Sequence, residues 1–311
     1  MKIIDTHCDA LSKMWKTKEI IEFNNSSHLK TNLNRLQIGQ VSVQCFAIFV
    51  PQHIKKEQKF QVALDQIKLF HTKILAKHPR VKHVTSWDDL DNLKPNEIGG
   101  MLTLEGLDVI GNDLTKLKTL YDLGVMTIGL TWNGSNICAD GVEEDRGIGL
   151  TELGKQVVKL NNQQLVCTDV SHLSEKSFWD VMDVAKYPIA SHSNSKALCD
   201  HPRNLTNQQA ETLFKQNGFV GVTFYPPYVK SEGVATVEDL IGHIDHFCTL
   251  GGVQNIGFGS DFDGIESSVT ELEDASMYQN LINKLLKYFK EEEVIGFAYR
   301  NFLNYRPTLR I

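Results

Sequence analysis

The stretch Ile3-Ile-Asp-Thr-His-Cys-Asp9 sets the reading of the whole chain: a short β-branched apolar run that closes on an imidazole and a carboxylate. Seven more runs share its strand-like character, residues 41–50, 101–105, 125–131, 165–170, 188–192, 219–225 and 255–261. A ninth, residues 81–85, is weaker and competes for one of the eight places. Between the runs lie segments with apolar residues near helical period: 55–76, 113–123, 151–160, 174–185, 206–216 and 236–250, then 276–290 and 292–303 at the end. Ser174 is placed to cap its helix, and Asn217-Gly218 and Gly251-Gly252 to stop theirs. Strand–helix alternation repeated this often predicts an α/β fold with a parallel sheet. Eight strands predict a single (β/α)8 TIM-like barrel, with a doubly wound open sheet as the competing architecture. Proline is sparse, no Gly/Ser linker or fixed-period repeat interrupts the pattern, and one domain over residues 1–311 is expected. Residues 14–40 read as an irregular insertion after the first strand.

The 311 residues carry 32 Lys and Arg against 38 Asp and Glu, a net charge of −6, and 41% are hydrophobic. That balance argues against wholesale disorder. It also argues against a nucleic-acid or anionic-membrane surface, which needs clustered basic residues. No apolar stretch is long enough to span a bilayer, the first residues lack a signal-peptide core, and residues 302–311 form no hydrophobic tail. The six cysteines are scattered and make no Cys-x-x-Cys pair, so they read as reduced thiols of a cytoplasmic protein.

Polar residues collect at the C-terminal ends of five runs: His7 and Asp9, Glu105, His172, His192, and Asp261 with Asp263. In a barrel these ends converge on one face, where active sites lie. His7 and Asp9, two apart on a strand, point to one side and can share an ion while Cys8 points away. Imidazole nitrogen and carboxylate oxygen suit zinc, with manganese or iron as alternatives. Glu105 has two oxygens and can bridge two ions, with His172 and His192 as the further ligands of the second ion. Such a pair can activate a hydroxide and polarise a carbonyl.

Taken singly, each residue has a plainer explanation. A lone strand-end His is more often a satisfied core or surface histidine, Glu105 beside Gly106 can cap a helix, and Asp261 and Asp263 can be turn residues. Five such sites on five strand ends make chance placement the poorer account. The remaining histidines take the plain reading. His243 and His246 fall on a solvated helix face, and His53, His71, His78 and His83 are exposed. Gly251-Gly252 and Gly257-Gly259 do not make a dinucleotide fingerprint, and no Gly-x-Ser-x-Gly elbow is present.

With these residues in place, the chain resembles the membrane (renal) dipeptidase family of zinc peptidases, within the amidohydrolase-like metal barrels. The likeness rests on Asp5-Thr-His-Cys-Asp-Ala, Leu104-Glu-Gly-Leu, Gly124-Val-Met-Thr-Ile-Gly-Leu-Thr, Asp169-Val-Ser-His-Leu-Ser, Pro188-Ile-Ala-Ser-His-Ser, Pro202-Arg-Asn-Leu and Gly257-Phe-Gly-Ser-Asp-Phe-Asp-Gly, in that order over nearly the whole length. The resemblance implies two zinc ions bridged by Glu105, one with His7 and Asp9, the other with His172 and His192. It implies a bridging hydroxide as nucleophile, Asp261 as acid/base, Arg203 on the substrate carboxylate, and Tyr225 as a further substrate contact. It makes a dipeptide the substrate and a homodimer the expected assembly. One position departs: mammalian members carry a histidine after Leu-Thr of the fourth run, where this chain has Trp132. An indole donates one hydrogen bond but cannot become a cation, so oxyanion stabilisation shifts toward the metals or Asn133. Trp132 therefore keeps open another small amide or lactone as substrate. A catalytically silent metal-binding homologue is the third reading, against which the complete ligand set and Asp261 argue.

Overall fold

The computed structural model describes residues 1–17, 21–144 and 147–308. Nine strands, all parallel, stand among them: β1 (Ile3–Cys8), β2 (Val41–Phe49), β3 (Val81–Val84), β4 (Ile98–Glu105), β5 (Val125–Gly129), β6 (Cys167–Asp169), β7 (Pro188–Ala190), β8 (Phe219–Val222) and β9 (Ile256–Phe258). Eight close a ring in the order β1, β2, β4, β5, β6, β7, β8, β9, and β9 returns to β1 with Phe258 opposite Asp5. The open sheet is thereby excluded. The weak ninth run displaces no other strand. β3 pairs with the first half of β4, Val81 opposite Ile98 to Val84 opposite Met101. β5 then takes over that edge of β4 from Leu102.

One or two apolar residues from each of eight strands form a cluster of their own: Ile4, Val43, Cys45, Val84, Met101, Met126, Cys167, Ile189 and Phe219, closed by Trp87, Leu90 and Phe302. Most of these residues precede the polar strand ends, and the cluster forms the dry floor of the barrel. A second, larger apolar core lies between strands and helices. Helices follow the sequence expectations with ends shifted: most are a few residues shorter, while the 151–160 segment runs on to Gln164 and the last to Tyr305. Glu152–Gln164, Glu175–Met182, Asn207–Lys215 and Val237–Thr249 start on Thr151, Ser174, Thr206 and Thr236, whose side chains each accept a backbone N–H of the first turn. Each such cap is worth about 1 kcal/mol.

Three expectations need correction. The 14–40 insertion is not wholly irregular: a helix begins at Ala10–Lys16, and a second, Leu33–Ile38, is capped by Asn32. The insertion is pinned from the neighbouring loop after β9 by Asp263, whose carboxylate accepts from the backbone N–H of Lys30 (2.8 Å) and Thr31 (3.1 Å). His243 is fully buried, not solvated: its Nδ1 accepts from Ser195 N (3.0 Å) and its Nε2 meets the Val229 carbonyl (2.8 Å), tying the loop after β7 to the segment after β8. His246 is half-buried against Asn207. His53 is exposed, but His71, His78 and His83 are half-buried, with His83 edge-on to Phe70 and His71.

Candidate active site

Several strands stop pairing two or three residues before the apolar run ends, because the polar residues there leave the ladder to build one pocket at the C-terminal face. It has a volume of about 270 Å³ and is lined by Asp9, Glu105, Trp132, Asn133, His172, Tyr225, Tyr228 and Asp261, with Lys16, Phe49, Gly264, Ile265 and Glu266 at its walls. A larger cleft of about 600 Å³, lined by Lys2, Arg80 and Lys94 among others, involves the N-terminal ends of β1, β2 and β4, away from this chemistry.

All five candidate ligands converge here. His7 Nε2 lies 3.4 Å from Asp9 Oδ2, 3.7 Å from Glu105 Oε2 and 4.0 Å from Asp261 Oδ1. Glu105 Oε1 lies 2.8 Å from His172 Nε2 and 3.6 Å from His192 Nε2. Asp9 occupies the N-cap position of its helix yet makes no capping hydrogen bond, so its carboxylate is left to the pocket. His172 and Asp261 sit at φ +68° and +64°, a left-handed conformation that costs a β-carbon residue about 1–3 kcal/mol and is kept where the surroundings enforce it. Thr131 and the Val142 N–H both bond the His172 carbonyl, and Asp261 N–H bonds the His7 carbonyl.

The hydrogen bonds decide where the ring protons are. Asn133 gives its amide N–H to Glu143 (2.9 Å), so its Oδ1, 2.6 Å from His172 Nδ1, must accept from that ring. Ser191 gives its one hydroxyl proton to the Asp169 carboxylate, so its oxygen, 2.8 Å from His192 Nδ1, accepts there too. Both rings therefore turn bare Nε2 lone pairs inward, and these stand 2.9 Å apart. Two lone pairs at that distance repel unless a cation lies between them and the Glu105 oxygen. His7 Nε2 is likewise buried with no hydrogen-bond partner. Two triads, His7–Glu105–His192 and His7–Asp9–Asp261, place their ligand atoms within 4.8 Å of one another. The donor set fits a metal cofactor.

The electrostatics agree. Burial pushes Glu105 up to about 8 and Asp261 up to about 7; Asp9 adds to both, and His7 partly offsets both. Burial alone would lower His7, but Glu105, Asp9 and Asp261 overcome it and raise the ring to about 10. Burial, with Arg203 and His7 nearby, keeps His172 and His192 neutral well below the ordinary imidazole range. So much buried acid calls for positive charge beyond what His7 supplies.

Arg203 is buried, donates to the His192 carbonyl (3.1 Å), stacks 5.5 Å from the Tyr228 ring, and leaves its Nε without a partner. Trp132 packs against Phe49 at the pocket wall, 5.3 Å between rings. Asn133 lines the pocket with both ends of its amide engaged. Tyr225 stands edge-on to Tyr228. Sequence reasoning missed Tyr228, Phe49 and Gly264 as pocket residues and Asp5, Asp169 and Ser191 as their supports. The signal for two of these was present in the parallel phrases Asp5-x-His7 and Asp169-x-x-His172.

The model of the membrane dipeptidase family, peptidase family M19, matches residues 1–306. An uncharacterized dipeptidase of Schizosaccharomyces pombe is 32% identical over 92% of this chain and 74% of its own length, and Dipeptidase 3 of Mus musculus is 29% identical over 97% and 63%. The chain thus spans less than two thirds of the mouse protein. Among solved structures, a Rhodobacter sphaeroides metallo peptidase liganded with a phosphinate mimic of the dipeptide L-Ala-D-Ala superposes with a TM-score of 0.92 at 25% identity, covering 98% of both chains. Dipeptidase AC, a metallo peptidase of family M19, gives 0.90 at 26% over 98% and 97%. Strand order, ligand geometry and these likenesses agree: the chain belongs to the membrane dipeptidase family, peptidase family M19.

Proposed function

We propose that this chain is a zinc-dependent dipeptidase in which Glu105 bridges two ions, His7 and Asp9 holding one and His172 and His192 the other, with manganese or iron able to substitute. The observation that carries this reading is the pair of facing Nε2 lone pairs on one Glu105 oxygen, beside a buried arginine with an unused donor. When bound, the metals lower the pKa of water and polarise the scissile carbonyl. Asp261, within 4.0 Å of His7 Nε2, takes the proton released in the attack and passes it to the leaving amine. Arg203 grips the free carboxylate of the substrate through two hydrogen bonds, which selects short peptides over proteins. Tyr225 and Trp132 line the pocket and orient the substrate, and Asn133 fixes the ring of His172. The Rhodobacter sphaeroides protein, named for its complex with a mimic of L-Ala-D-Ala, supports a D-residue at the C-terminal position.

We further take residues 1–311 as one catalytic domain, acting as a homodimer in the cytoplasm. Six free cysteines support that compartment, and no helix among the described residues is long and apolar enough to cross a membrane. The test is a panel of L,L and L,D dipeptides after chelation and after zinc return. Hydrolysis lost in chelator and restored by zinc supports the reading. Trp132 favours one alternative, another small amide or lactone, which the same panel extended to cyclic amides and lactones separates. Zinc uptake without hydrolysis of any member would instead indicate a silent homologue.

A further inference from the structure

The site is supported by the same device used twice. Asp5 Oδ1 accepts from the N–H two residues ahead, His7 (3.2 Å), and from Ser260 N (2.9 Å), while its Oδ2 accepts from the Ser260 hydroxyl (2.7 Å). Asp169 Oδ1 accepts from the N–H two residues ahead, Ser171 (2.9 Å), and from Ser191 N (3.0 Å), while its Oδ2 accepts from the Ser191 hydroxyl. Each carboxylate thus clamps two strand-end loops together, and each clamped serine immediately precedes a site residue, Asp261 in one case and His192 in the other. All four residues are buried. The clamps differ in what the serine meets beyond its carboxylate. The Ser191 oxygen meets His192 Nδ1 at 2.8 Å, whereas Ser260 meets no imidazole: its hydroxyl lies against the His7 carbonyl, Phe262 N and the Tyr278 side chain.

We infer that Asp169 and Ser191 are positioning residues that fix the Nδ1–H tautomer of His192 and aim its Nε2 at the metal, a role the matching Asp5–Ser260 clamp does not share. This rests on the zinc reading above. Hydrogen-bond polarity runs one way along the chain: His192 Nδ1–H to Ser191 oxygen, Ser191 O–H to Asp169. Losing the serine hydroxyl frees the ring. Replacing the carboxylate with an amide offers Ser191 a donor in place of an acceptor, so the hydroxyl can turn and donate to Nδ1, moving the ring proton to Nε2, where it blocks the metal. Partners of this kind typically contribute 10- to 100-fold in metal affinity.

The test is zinc titration of the chelator-stripped full chain against a chromophoric competitor. Ser191→Ala is expected to weaken one of two zinc sites about 10- to 100-fold, Ser191→Thr to restore it, and Ser260→Ala to leave both affinities near wild type. Equal affinities in Ser191→Ala and wild type overturn the inference, as does an equal loss in Ser260→Ala, which would make both clamps merely structural. A wild-type chain that takes up no zinc removes the zinc reading itself. Ring ¹⁵N shifts of His192 in Asp169→Asn give a readout independent of loading: a proton moved to Nε2 supports the relay, and an unchanged tautomer overturns it.

Discussion

Gly264→Ala separates the site from the scaffold more cleanly than any ligand replacement. Gly264 lies in the exposed turn after β9. A β-carbon there would stand 2.3 Å from Asp9 Oδ2 and 2.6 Å from Asp261 Oδ1, where real contacts begin above 3.0 Å. Either both carboxylates retreat or the turn carrying Asp261 shifts, by on the order of 0.5–1 Å. Misplacement on that scale costs about 100-fold in rate. No apolar surface is uncovered, so the melting temperature of the variant should stay within about 2 °C of wild type by the usual scaling for a chain of this size. Gly251→Ala is the converse control. Its φ of +91° strains any β-carbon, yet nothing lies within 4 Å of the added atom. It should lose about 1–2 kcal/mol of stability with kcat/KM unchanged. The assay is dipeptide hydrolysis paired with thermal melts. A Gly264→Ala enzyme within about threefold of wild type would refute the claim that Asp9 and Asp261 are held in working positions by the space a glycine leaves.

Arg203→Ala should erase a preference of about 10- to 150-fold for a free C-terminal carboxylate over its amide, the worth of charged hydrogen bonds of this kind; a preference that survives in the variant rejects that role. Arg203→Lys keeps the charge without the fork and should recover only part of it. His243→Ala leaves the Ser195 N–H and the Val229 carbonyl buried without their partner and should cost about 2–5 kcal/mol, read as a lower melting temperature; an unchanged melt contradicts the staple. Above about pH 6.5, where the imidazoles of the unfolded chain are already neutral, the metal-free protein should lose stability as pH rises. Glu105 and Asp261 have folded values raised to about 8 and 7, so the folded chain binds more protons than the unfolded one. Their contribution is full below about pH 4 and fades as pH climbs through 7 to 8. On the proposed reading zinc takes the place of those protons, so the gap in melting temperature between loaded and stripped protein should widen from pH 5 to pH 8. A gap that narrows would show that these carboxylates do not face the metal.

The barrel and the convergence of its five strand-end residues were legible because both rest on local signals. Apolar runs mark strands, and an imidazole or carboxylate at the end of one such run says little alone, whereas five of them on five strand ends point to one shared pocket. What escaped depends on contacts distant in sequence. Asp263 reads as a turn residue, yet it anchors Lys30 and Thr31 more than 230 positions away. His243, three residues from His246 on a helix, has the pattern of a solvated face, and only packing against the β7 and β8 loops shows it buried. Asp5 and Asp169 stood in the quoted motifs but were passed over, because a carboxylate beside a ligand reads as a candidate ligand before it reads as a support. Residues 81–85 compete in the sequence for one of the eight places, yet β3 displaces no strand. It fits because β5 begins pairing only at Leu102 and leaves the first half of that edge of β4 free.

Anomalous diffraction from crystals of the zinc-loaded chain, recorded on both sides of the zinc absorption edge, tests the central claim most directly. Two peaks are predicted, both in contact with Glu105, one also at His7 and Asp9 and the other at His172 and His192. No peak in this pocket, or zinc bound only elsewhere on the chain, would contradict it.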